Sequence, residues 1–269
     1  MIVQHNITSM NANRQLGIVG GNLAKATEKL SSGYRINRAA DDAAGLAISE
    51  KLRTQVRGLQ RASDNAQDGI SLIQTAEGAM DQKHAILQRT RELVVQAANS
   101  AVLDSGTEDF QKIQDEIDKL KDEYNRINSQ TEFNKKTLLD GSYEGYLQIG
   151  ANSGQGIDIS ISKTEWTDID VTGGDGETIS KLIDTVDDMI DEVSTVRSAL
   201  GAIQNRLEYT VKVDDNSAEN MQSAESRIRD TDMADEMTRF SKESILQQAA
   251  TAMLAQANQA NQGVLSLLQ

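Results

Sequence analysis

The run from Ile245 to Leu268, "ILQQAATAMLAQANQANQGVLSLL", decides the fold. From Ser244 to Gln269 there is no Asp, Glu, Lys or Arg, in a chain that is 25% charged as a whole. Its counterpart lies at the other end. In "MIVQHNITSMNANRQLG" (Met1 to Gly17), Arg14 is the only full side-chain charge and His5 the only other titratable side chain. Both runs are built from Ala, Leu, Ile, Val, Gln and Asn, so both favour helix. Neither carries the charge that solvates a lone helix or the bulk that fills a core. Two such tails need something to pair with. A bilayer does not suit: Gln247, Gln248, Gln256, Asn258, Gln259, Asn261 and Gln262 would each bury an amide in lipid.

Working inward, composition narrows the class. Aromatics make up 3% of 269 residues, and there is no Pro and no Cys. A compact core of this size draws much of its burial from aromatics. Long helices side by side, joined through Ala, Ile, Leu and Val, need few. The absence of Pro fits long helices. Without Cys there is no disulfide, zinc–thiolate site or thiol nucleophile. A net charge of −14 argues against a nucleic-acid partner. Charge is uneven: residues 1–40 hold five Lys/Arg against Glu28 alone, while residues 140–195 hold 13 acids against two Lys. Met1 is not followed by the basic and continuous apolar regions of a cleaved secretory signal, and no segment is expected to insert in a membrane.

Periodicity then sets the order of elements. Thr8 to Leu30 reads as a helix closed by Gly33, with Met10, Leu16, Val19, Leu23 and Leu30 as a thin stripe. Tyr34 to Ala40 is a basic link. Asp41 and Asp42 stand where anions favour a helix start. Ala43 to Asn99 is one long helix, with Leu52, Val56, Leu59, Ala66, Ile70, Ile73, Met80, Leu87 and Val94 on its seam. Ser63, Glu77, His84 and Arg91 interrupt it. Residues 100–106 form a turn. Glu108 to Ser129 carries Phe110, Ile113, Ile117, Leu120, Tyr124 and Ile127 at clean heptad spacing. Residues 130–176 turn Gly-rich and β-branched, and "LQIGANSGQGIDISI" (Leu147 to Ile161) reads as a hairpin. Glu177 to Glu225 is a third long helix, residues 226–233 a charged link, and Met233 to Leu268 the terminal helix. The fold class is therefore mainly α: a long antiparallel helical rod or coiled-coil bundle with a small β-hairpin. Its two ends are expected together at one pole. Entropy opposes ordering two thin Ala/Gln helices that touch only each other. The tails are expected to be disordered in a lone chain and to fold when packed among copies.

Several stretches resemble bacterial flagellins: "LSSGYRINRAADDAAGLAISEKL" (Leu30 to Leu52), "LQRTRELVVQAAN" (Leu87 to Asn99), "IQDEIDKLKDEYNRINSQTEFNKKTLL" (Ile113 to Leu139) and the C-terminal run. Only residues of roughly 140–180 fall outside the resemblance. It implies a structural subunit of the flagellar filament, a helical homopolymer that serves motility. Residues 1–40 and 227–269 would form its inner tube, with 41–42 as link, and 43–226 the surrounding shell. Leu16, Val19, Leu23, Leu30, Ile245, Leu246, Met253, Leu254, Val264, Leu265 and Leu268 would be the polymerisation residues of the tails. It implies an extracellular protein that leaves through the flagellar type III apparatus without a cleaved signal peptide. An export chaperone would hold its C-terminal tail, and filament cap and junction proteins would be further partners. No outer domain fits between Ser162 and Glu177. The family also meets an innate-immune Toll-like receptor through positions that match Leu87, Gln88, Arg89, Glu92, Leu93 and Glu116 here. A solvated face at a contact between subunits is the plainer reading of the polar ones. Departures from the pattern are Tyr34 where Leu is usual, Arg38-Ala39-Ala40 where Ser-Ala-Lys is usual, and Gln269 where Arg is common.

Other functions find less support. A hook–filament junction protein shares the terminal design but not the central motifs. A membrane-active or coiled-coil partner protein is argued down by the amide-rich tails. For an enzyme, His5 and His84 are the only histidines, and neither stands in a triad or HExxH setting. Asp41 and Asp42 project in different directions, and helix capping accounts for them. "GANSGQG" (Gly150 to Gly156) lacks the Lys-Ser/Thr of a phosphate loop. Asp184, Asp187, Asp188, Asp191 and Glu192 read as a solvated face before a cation site. Met189, Met221, Met233, Met237 and Met253 read as packing residues. No catalytic residue, cofactor or metal is expected.

Overall fold

The computed structural model describes residues 5–99, 108–173 and 175–267, with side chains to 259. Five helices and two short antiparallel sheets follow in order: α1 (Ile7–Ser32), α2 (Ala43–Ala98), α3 (Glu108–Gln130), β1 (Glu132–Phe133), β2 (Lys136–Thr137), β3 (Glu144–Gln148), β4 (Gly156–Ser160), α4 (Gly176–Arg229) and α5 (Met233–Leu267). The fold is mainly α with a small β element, as the composition requires. Two compact units divide the chain. The first comprises residues 1–55 and 219–269, the second residues 56–218. Helices α2 and α4 contribute to both.

In the first unit, local chemistry sets the helix ends. Asn6 Oδ1 accepts the Ser9 N–H at 3.0 Å and opens α1. Gly33, at φ 75°, closes it by returning its N–H to Lys29 O at 2.9 Å, a left-handed residue where a Cβ would be strained. Asp42 Oδ1 accepts the Gly45 N–H and opens α2. Asp41 accepts the N–H groups of Arg38 and Asn37, which hold its carboxyl below the usual aspartate range. Asp232 opens α5 through the Ala234 N–H. Helix α4 runs to Arg229, so the expected charged link at 226–233 shrinks to residues 230–232. Ser226 to Arg229 hold no helix breaker, and the α4 ladder continues through them.

In the second unit one apolar core joins α2, α3, the hairpin and α4. Phe110, Ile113, Ile117 and Tyr124 are buried on α3, at the expected spacing. Ile179, Val186, Met189, Val193, Leu200 and Leu207 hold the α4 seam. On α2 the seam includes polar side chains, of which the periodicity passed over Lys83 and Thr90: Ser63, Lys83 and Thr90 are all buried. His84 stands half-buried beside it, its Nε2 facing Gln88. Strands β3 and β4 pair with Leu147 opposite Ile157, and Ile157, Ile159 and Ile161 turn inward. Gly154, at φ 81°, supplies a left-handed turn residue. A second, two-residue hairpin, β1–β2, was not legible. Asn134 and Lys135 both take positive φ, the primed-turn geometry that usually advertises itself as Asn-Gly. Beyond β4, residues 161–173 join no sheet.

Candidate assembly surface and a polar patch

Helices α1 and α5 lie antiparallel. Near one end Asn6 Nδ2 donates to Ala257 O at 3.0 Å and Ser9 Oγ to Asn258 Oδ1 at 2.7 Å. At the other end the Thr231 N–H donates to Gly33 O at 3.0 Å and the Arg35 N–H to Arg229 O at 2.7 Å. A narrow seam joins them. On α1 it is Ser9, Ala12, Leu16, Val19, Leu23, Ala26 and Leu30; on α5 it runs through Gln247, Ala250, Leu254 and Ala257. Of the α1 residues only Ala26 is fully buried, and in the described part of α5 only Glu236. The remaining faces carry uncovered apolar side chains: Ile7, Met10 and Ile18 on α1, and Met233, Met237, Ile245, Leu246 and Met253 on α5. Ile245 is 66% exposed and Met253 61%. Of the methionines read as packing residues, Met189 packs in the core, whereas Met233, Met237 and Met253 are exposed on α5.

Of the expected tail residues, Leu16, Val19, Leu23, Leu30 and Leu254 are half-buried in the seam. Ile245, Leu246 and Met253 face outward. Val264, Leu265 and Leu268 lie outside the residues whose side chains are described.

A joint closes the links. Tyr34 forms a β-bridge with Asp230. Its ring lies under the Arg229 guanidinium at 4.9 Å and the Arg53 guanidinium at 5.8 Å. Arg53 pairs with Glu225 at 2.8 Å, and Arg229 with Glu50 at 2.6 Å. The sequence marked Tyr34 only as unusual; two arginines from distant helices give it a role.

In the second unit, Arg89 gathers the expected polar patch. Its Nε donates to Glu116 Oε1 at 2.9 Å and its Nη1 to Glu92 Oε2 at 3.0 Å. Gln88 is exposed one residue away on the same helix. Leu87 and Leu93, predicted for the same contact, point into the core, at 0% and 2% exposure. They position the patch from beneath. On the acidic face, Asp187 accepts from Arg91 Nε at 2.7 Å, while Asp184, Asp188, Asp191 and Glu192 are exposed. Among the described residues no cluster of acids and histidines is arranged to hold a metal. Tyr209 and Val213, one turn apart on α4, add an exposed apolar pair.

A helix with apolar side chains on several faces is one meant to be surrounded. Two such helices, joined by a thin seam, leave apolar surface that the chain itself does not cover. Similarity to known proteins places the chain in a family. A family described as "Bacterial flagellin N-terminal helical region" matches residues 3–144, and "Bacterial flagellin C-terminal helical region" matches residues 183–268. A flagellin of Halalkalibacterium halodurans is 52% identical, with all of both chains covered. One of Bacillus subtilis is 49% identical, again over all of both chains. A flagellar filament 31.3 kDa core protein of Treponema maltophilum is 45% identical over both full lengths. The crystal structure of Bacillus cereus flagellin superposes with a TM-score of 0.51 at 27% identity, covering 60% of this chain and 94% of that one. The chain belongs to the bacterial flagellins.

Proposed function

We infer that this chain is the structural subunit of a flagellar filament and that its terminal helices complete their folding among copies of itself. The uncovered apolar faces of α1 and α5 carry the reading. Burial of such faces contributes roughly 25 cal/mol per Å², and the α1–α5 seam uses only part of what they offer. The subunit works by packing; motility follows from the shape of the polymer, with no chemistry at any residue. Two nearly equivalent packings of its helices would let that polymer supercoil. Export fits the flagellar type III route, with a chaperone covering the C-terminal tail until assembly beneath the cap. Among the described residues no helix is long and apolar enough to cross a membrane.

Removing residues 250–269 tests this. The truncated chain is expected to remain a helical monomer by circular dichroism and to form no filaments by negative-stain microscopy. Filaments from the truncated chain would refute the reading.

The Arg89 patch supports a second role, as ligand of the host receptor that senses flagellin. Gln88, Arg89, Glu92 and Glu116 offer a charged hydrogen-bonding surface, with the planar guanidinium at its centre. Arg89→Ala should reduce receptor signalling in reporter cells at least about tenfold, since losing a charge-assisted contact costs about 2 kcal/mol. The unfolding midpoint should hardly move, because the pairs are exposed. Unchanged signalling would remove this role.

A further inference from the structure

Lys83 is fully buried on α2. Its ammonium donates to Asn128 Oδ1 at 2.6 Å and to Thr164 Oγ1, and sits 4.2 Å from the centroid of the Tyr124 ring. None of these three groups is an anion. Interior ammonium groups normally sit against a carboxylate, because neutral partners only partly replace lost water. Here the acid that acts on it is Glu192, exposed on α4.

Thr164 belongs to the segment 161–173. Side chains fasten it. Asn128 Nδ2 donates to Thr164 O at 3.2 Å. Gln114 donates to Ile169 O and accepts the Val171 N–H, both at 3.0 Å. Lys121 pairs with Asp168. A strap held this way can lift without breaking a sheet ladder; what docks it besides these bonds is the burial of Ile161, Ile169 and Val171 on the core. Trp166 sits within the strap, edge-on to Tyr124 at 5.4 Å between ring centroids, and its buried Nε1 has no partner.

We propose that residues 161–173 form a strap whose docking is loosened by the proton on Lys83. Lifting Thr164 admits water to the amine, which favours the ammonium; docking strips that water and favours the neutral amine. Proton binding and strap opening are therefore linked. Burial lowers the Lys83 amine to about 8, partly offset by Glu192, against 10.5 for a free lysine. In the docked state the proton leaves first. The docked strap accordingly gains stability as pH rises through the window from about 8 to 10.5 and is loosest below it. The other groups facing this site leave the assignment with Lys83. Burial pushes the Tyr124 hydroxyl up to about 12, so it stays neutral throughout. His84, next on α2, faces Gln88. Lys163 pairs with Glu165 at the exposed edge of the strap. The strap joins the β3–β4 hairpin to α4, so one interior proton biases how firmly both are tied to α2 and α3.

Trp166 is the only tryptophan, so acrylamide, a neutral quencher, reports the strap directly in the full-length, unassembled chain. Between about pH 7 and 9.5, below ordinary tyrosine ionisation, the quenching constant is expected to fall about twofold or more. Lys83→Met should be weakly quenched at every pH in this range. Lys83→Arg keeps its charge throughout and should be strongly quenched at every pH; if arginine does not fold there, the methionine variant decides alone. Constant or rising quenching in the unaltered chain would overturn the proposal, and so would a methionine variant that still titrates.

Discussion

Asp214 is a carboxylic acid placed inside the second unit, 7% exposed, with no hydrogen-bond partner for its Oδ2. Beside it Asp215 accepts from Ser63 Oγ at 2.9 Å. Burial, and then the neighbouring Asp215 charge, push the Asp214 carboxyl above the usual aspartate range. A raised acid is ionised at a loss to the folded state at neutral pH, and that loss fades as pH falls towards the free value of 3.8. Asp214→Asn should therefore raise the thermal midpoint at pH 7, and the gap from the unaltered chain should close by about pH 4. A variant equally or less stable at pH 7 would argue that Asp214 is not strained by its charge. In the sequence, Lys83 and Asp214 read like any charges on long amphipathic helices. Only the packing of other elements over each turns them inward. Arg89, Glu92 and Gln88 were legible as a patch because helix spacing alone puts them on one side, away from Leu87.

At the scale of elements, spacing and end chemistry are local properties, so α1 closes at Gly33 and α2 opens at Asp42 where the residues say. The β3–β4 hairpin was equally visible, since Ile157, Ile159 and Ile161 alternate across a Gly-rich turn. The β1–β2 turn hid because Lys135 takes a conformation usually left to glycine. The joint around Tyr34 hid for another reason: Arg53 and Arg229 reach it from residues far away in sequence. Cation–π contacts at such sites are worth about 1 kcal/mol each. Tyr34→Ala should speed proteolytic cleavage in the links at 34–42 and 230–232 about fivefold. Cleavage within α3 should keep its rate. Equal rates in the links would assign the joint to the backbone bonds alone.

For the whole molecule, the uneven use of apolar surface governs behaviour. The second unit encloses its core, whereas α1 and α5 leave Ile7, Met10, Ile18, Ile245 and Met253 uncovered. A charge placed on the uncovered face should separate assembly from folding. Ile245→Asp is expected to raise the concentration needed for polymerisation at least about tenfold, because burying an unpaired carboxylate costs several kcal/mol. The denaturant midpoint of the second unit should stay unchanged. Normal polymerisation by that variant would show that Ile245 faces solvent in the polymer.

Composition and periodicity by themselves determined that this chain is long helices with one Gly-rich interruption, because helix length, caps and alternation depend on neighbours within a few residues. They also led to the expectation that the tails pair with copies of the chain, since apolar supply and charge are sums over short runs. Tertiary structure alone decided which charges go inside, which arginines clasp Tyr34, and how residues 161–173 are held. Each of those depends on side chains brought together from distant parts of the chain, and no local pattern encodes such meetings.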